Sequence, residues 1–151
     1  MPDHSERLIE NWRRHELKIV PGCSDAQLDR FERSFSIKLP DDFRIYYRRT
    51  NGMGPPGQDK AGFAFWSLDS IQPALLALKD AGAHAKPRGA DDYYVFADYL
   101  DWSWAYAIRL TRAQTDNPVA LIGKENLEIV AHSFSEFIEL YLCDSPQLYG
   151  A

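Results

Sequence analysis

Apolar residues recur at helical spacing through the first third of the chain and at strand spacing through much of the second half. Leu8, Ile9 and Trp12 stand at i, i+1 and i+4, which predicts a helix starting after Ser5, in a segment ended by Pro21-Gly22. Ser24, with Gln27 three residues on, reads as a capping box opening a second helix whose inward positions are Leu28, Phe31 and Phe35. A third helix is predicted from Leu39-Pro40-Asp41-Asp42. Proline suits a first turn, and the two carboxylates complement the positive end of the helix dipole. Phe43, Tyr46 and Tyr47 form its apolar stripe, and Asn51-Gly52 stops it, because both residues tolerate the left-handed conformation.

Met53 to Gly62 carries glycines and prolines and reads as a loop, followed by a short strand at Phe63 to Trp66. A fourth helix is expected after Ser67, with Ile71, Leu75 and Leu78 on one face and Pro73 in or near its first turn. Lys79 to Asp92 is the longest loop. Strands are then expected at Tyr93 to Ala97 and at Trp104 to Leu110. In the latter, Trp104, Tyr106, Ile108 and Leu110 share one face, and Ala105, Ala107 and Arg109 the other. Pro118 to Ile122 and Leu127 to Ala131 read as a hairpin. Ser133 and Glu136 suggest a capping box for a last helix, whose stripe is Phe134, Phe137, Ile138, Tyr141 and Leu142. Helices first, then strands closed by a helix, imply an α+β fold. The expected form is a central, mostly antiparallel sheet of four to six strands, with N-terminal helices and a C-terminal helix packed on it.

The length of 151 residues is that of one domain, and residues 1–151 are expected to form it. Net charge is −5 and the pI about 5.3. An acidic surface repels phosphate backbones, so no nucleic acid is expected and a basic protein is the better partner. Cys23 and Cys143 are the only cysteines, with no Cys-x-x-Cys pair, which fits a reducing compartment. The start, Met1 to Glu6, has no basic residue ahead of an apolar core, and no apolar run approaches the roughly 20 residues of a membrane span. A cytoplasmic protein without membrane association is expected. Its oligomeric state stays open between a monomer and a weak dimer.

Chemistry-bearing motifs are sparse. His4, His15, His84 and His132 show no metal-ligand spacing, and no metal or cofactor is expected. Cys23 precedes a helix, where the dipole could activate a thiol, yet no base can be assigned to it. Phosphate-loop and nucleophile-elbow motifs are absent from the sequence. Arg13-Arg14 and Arg48-Arg49, the only adjacent basic pairs, fall on helices as solvated faces. The densest feature runs from Asp91-Asp92-Tyr93-Tyr94 to Asp98-Tyr99-Leu100-Asp101-Trp102-Ser103-Trp104. Three readings stand for it. One is a tight turn whose Asp98 and Asp101 bond turn amides, with Trp104 in the core. Another is a partner-binding surface containing Asp98, Tyr99, Asp101 and Trp102, with Asp91 and Asp92 as further acidic contacts. The third is a pair of glycosidase carboxylates beside sugar-stacking rings. The loop from Met53 to Lys60 is either a connection or an edge of the binding surface.

Four stretches in order resemble the SUKH superfamily. They are Leu39-Pro40-Asp41-Asp42-Phe43 with Tyr46-Tyr47 and Thr50-Asn51-Gly52; Phe65 to Ile71; Val95 to Leu100 followed by Ser103 to Ile108; and Pro118-Val119 with Ile129 to Ile138. The likeness runs from about Asp25 to Leu142, leaving residues 1–20 as a variable N-terminal helix. It implies an α+β fold and a non-catalytic, protein-binding role. Bacterial members are commonly immunity proteins that bind and neutralise a toxin, often a nuclease. A yeast member regulates cell-wall assembly. The resemblance implies a toxin as partner and the acidic charge favours a basic one, so a basic toxin domain is expected, with an endogenous protein as the alternative. An enzyme acting on glycans is the remaining rival.

Overall fold

The computed structural model describes residues 3–55, 57–80, 87–123 and 126–149. The first helix, α1, spans His4–Arg14 and begins earlier than Ser5. Asp3 is its cap, accepting the Glu6 amide at 2.9 Å and the Ser5 hydroxyl at 2.6 Å. Helix α1 ends at Arg14, well before Pro21. At Gly22 the chain passes so close to the next helical layer that an added Cβ would lie 1.8 Å from the Arg48 carbonyl oxygen. Only a residue without a side chain permits that approach, and it brings the Cys23 amide to 2.7 Å from the Tyr47 carbonyl.

Helix α2 (Asp25–Phe35) has both halves of the Ser24/Gln27 box. Helix α3 (Asp41–Arg49) has no side-chain cap of its own. Asp42 instead reaches across the fold, where its Oδ2 accepts the amide and hydroxyl of Ser135, both at 2.8 Å. Those groups belong to the first turn of the C-terminal helix α5 (Phe134–Leu142), whose cap Ser133 accepts the Glu136 amide. A carboxylate thus ties the starts of two helices together by satisfying donors that a helix leaves free.

The fourth helix departs from expectation. After strand β1 (Phe63–Phe65) comes a 3-10 turn at Leu68–Ser70, then the two-residue strand β2 (Gln72–Pro73), and only then α4 (Ala74–Asp80). Proline disfavours a helical conformation at the residue before it, so Gln72 is extended and the helix starts after Pro73. Ile71 and Leu78 therefore do not share a helix face, and they pack in separate clusters.

The remaining strands are β3 (Tyr93–Tyr99), β4 (Trp104–Arg109), β5 (Val119–Ile122) and β6 (Leu127–Ala131). They form a six-stranded sheet in the order β1-β3-β4-β5-β6, with β2 also on β3, and every pairing is antiparallel. One sheet face carries Phe65, Tyr94, Phe96, Tyr106, Ile108, Val119 and Leu121 under α1, α2, α3 and α5. The other carries Val95, Ala105, Ala107, Ala120 and Ile122 under α4. A bulge between Val95 and Ala97 shifts the β3/β4 register. Phe96 and Ala97 then both pack with the first cluster. Extra residues of this kind re-aim the side chains that follow them.

Candidate functional site

The β3–β4 connection is built from residues with little freedom to be there. Leu100, Asp101 and Trp102 all have positive φ, at 47°, 50° and 70°. Side-chain-bearing residues pay for that conformation, so surrounding contacts must hold it. Two contacts are evident. The Leu100 amide donates to the Gly62 carbonyl at 2.9 Å, and the Ser103 amide to the Tyr99 carbonyl at 2.9 Å. Gly62 itself has a φ of 109°, and an added Cβ there would meet the Leu100 side chain at 2.5 Å.

The turn separates two aromatic groups. On the side of the α4 cluster, the Trp66 and Trp102 rings lie 5.5 Å apart, centre to centre. The Trp66 indole N–H donates to Asp98 Oδ2 at 2.7 Å, and the backbone amide of Trp102 lies close enough to favour the charged form of that carboxyl. On the opposite side Trp104 stacks on Tyr99 at 4.7 Å and donates to the Tyr106 hydroxyl at 2.9 Å. Tyr149 from the chain's end meets both Tyr99 and Trp104. Trp104 is half-buried against the main core.

Asp98 is buried, and that burial pushes its carboxyl above the usual range. The Trp66 hydrogen bond and the nearby Trp102 amide oppose the shift, and the nearby Asp101 charge adds to it. Asp101 and Leu100 are exposed, while Tyr99 and Trp102 are half-buried. Asp98, Tyr99, Asp101 and Trp102 thus come together at one end of the sheet. Asp91 and Asp92 do not join them. They precede β3, whose seven residues separate the two groups by roughly 20 Å. Asp92 there faces Arg109 at 3.7 Å, and Arg109 also holds Asp116 at 3.1 Å.

Other candidates resolve as follows. Cys23 is buried, and burial with the Asp69 charge raises its thiol above the usual range, the reverse of an activated nucleophile. Arg48 forms a two-pronged pair with Asp25, through Nε at 2.8 Å and an Nη at 2.7 Å. Arg49 pairs with Asp3 and Glu6. His4 lies 3.2 Å from Glu139, His15 contacts the Asn11 carbonyl, and His132 is exposed. His84 lies outside the described residues.

Two features escaped sequence reasoning. Trp66 is the half-buried partner of both Asp98 and Trp102, yet it stands 32 residues before Asp98. A hydrogen-bonded chain also links Trp12, Tyr141 and Asp59, whose members are 129 and 82 residues apart. No local pattern encodes contacts at such separations.

The profile of the SMI1 / KNR4 family (SUKH-1) matches residues 22–140. That span covers most of the chain, and the chain belongs to this family. The family includes immunity proteins and yeast regulators, and SUKH domains typically bind protein partners. Helix α1 lies before the matched residues, yet its Leu8 and Trp12 are fully buried. No curated protein matches the sequence.

Proposed function

We propose that this SUKH-1 chain is a non-catalytic binding protein, and that the end of the sheet around Leu100–Trp102 docks a basic protein. The observation that carries this reading is the Trp66–Trp102 pair with Asp98 beneath it and the exposed Leu100 and Asp101 beside it. Tryptophan is a favoured interface anchor, and a neighbouring exposed carboxylate accelerates encounter with a positively charged surface. Asp98 serves the scaffold, since it is buried and its Oδ2 holds the Trp66 indole. That use leaves the glycosidase reading without a second free carboxylate beside Asp101.

Within the family's range, immunity is the role we favour: direct binding that neutralises a toxin, with a nuclease domain as a fitting basic partner. The test is growth protection by this gene against the toxin encoded beside it, together with a one-to-one complex of the purified proteins. Protection and a complex support immunity. A complex with a housekeeping protein, and no protection, places the chain with the regulators. Turnover of a glycan by the purified protein would overturn the non-catalytic reading.

A further inference from the structure

A second feature lies next to the Leu100–Trp102 turn. Between the end of α1, the loop at residues 58–61 and α5 is a cavity of about 430 Å³. That is within the range of roughly 300–1,000 Å³ typical of small-ligand sites. Its walls include the Phe63 and Tyr141 rings and Leu17. Asp59 also lines it, and its position is fixed from several sides. Its Oδ1 accepts the Gly62 and Phe63 amides at 2.8 and 2.9 Å, and its Oδ2 accepts the Tyr141 hydroxyl at 2.6 Å. Trp12 donates to that same Tyr141 oxygen at 3.1 Å, so the phenol proton is directed at Asp59. A carboxylate offers about four lone-pair sites. Among the described residues three are used, and one remains for a donor.

The cavity's charge selects the kind of donor. Glu16 and Asp144 add two carboxylates to its lining, while Lys60 and His15 are the basic groups there. Asp144 is oriented by the Tyr149 hydroxyl at 2.6 Å. An anion would meet three carboxylates, and an apolar group would leave the remaining Asp59 site without a partner. A guanidinium satisfies that site and lies flat against aromatic rings, which an ammonium does less well.

We propose that this cavity receives an arginine side chain of the partner protein. The proposal rests on the reading of the partner as a basic protein, and it adds an anchor beside the acidic turn. The two are continuous, because Gly62, whose amide Asp59 holds, accepts the Leu100 amide of the turn.

The experiment is a titration of the amide NMR spectrum with N-acetyl-arginine amide, with the capped lysine and glutamate compounds as controls. Saturable shifts at Asp59, Ala61, Phe63 and Asp144 are expected with the arginine compound. Binding of the lysine compound should be about threefold weaker or more, given the lost stacking, and the glutamate compound should give none. Ala61 is exposed and lines the cavity mouth, so Ala61→Trp fills it without touching the core and should abolish the arginine shifts. Arginine shifts that persist in Ala61→Trp, or that lysine reproduces equally, overturn the proposal. A tri-arginine peptide separates the two ideas. Shifts at Asp98, Leu100 and Trp102 without shifts in the cavity sink the socket and keep the docking turn. Cavity shifts alone keep the socket and sink the turn, and shifts at neither sink both.

Discussion

The two faces of the sheet are packed by different means. Under α1, α2, α3 and α5 the contacts are ring against ring: Phe96 alone meets Phe43, Phe65, Phe134 and Phe137. Under α4 the sheet sets Ala105, Ala107 and Ala120 among Tyr93, Val95 and Ile122, and the helix answers with Ala74, Ala77 and Leu78. Large rings fill the space between a sheet and several helices and fix their angles through edge-to-face geometry. Methyl groups let one short helix approach closely but bury less area per residue. The first face is where the fold is secured. The margin of the second, where Trp66 and Trp102 pack against the small cluster, has two half-buried indoles available to a partner.

The sharpest break of this comparison is Phe96→Ala, which removes a fully buried ring and should cost about 3–5 kcal/mol in denaturant melts. On the opposite face the failure should be of the reverse kind. Ala107→Leu adds volume at a fully buried position and should cost about 1–3 kcal/mol by overpacking. If Ala107→Leu were neutral, the α4 layer would be looser than described. Trp102→Ala should change stability less than either, by about 1 kcal/mol or below, since the indole is half-buried on a turn. It should nonetheless slow or abolish complex formation, so a loss of binding that tracks a loss of folding would count against a docking role.

The smallest effect concerns pH. The carboxyl of Asp98 is raised in the folded state. Its contribution to stability is therefore fully present below the unfolded pKa and is lost as pH rises through the folded one. Asp98→Asn keeps an acceptor for the Trp66 indole but cannot ionise. The stability difference, variant minus wild type, should become more favourable to the variant as pH rises from acid to neutral. A flat difference would mean that the indole and the turn amide fully offset the burial.

Much of this architecture can be read from residue spacing, because helix stripes and strand alternation are local. The period-2 pattern of β4 already assigns Tyr106 and Ile108 to one face and Ala105 and Ala107 to the other, and the structure agrees. The Ser24 and Ser133 caps are equally local. What fails is informative. Ile71 and Leu78 have helical spacing, but Pro73 between them forces an extended residue and sends them to opposite faces. The acidic-aromatic stretch looks continuous from Asp91 to Trp104 until β3 separates its ends. The site's unanticipated members, Trp66 and the Asp59–Tyr141 pair, are joined only by tertiary contact.

The most direct measurement is the association rate of the chain with the protein partner that the protection and complex assays identify, wild type against Asp101→Lys, at low and high salt. Asp101 is exposed and its side chain makes no ion pair or hydrogen bond among the described residues, so the variant loses no contact, and only a small loss of stability, about 1 kcal/mol, is expected because lysine suits a φ of 50° less well than aspartate. The account predicts about tenfold or greater slowing at low salt that shrinks as salt rises. An unchanged rate at low salt, with a complex still formed, would contradict it by removing the turn from the docking face.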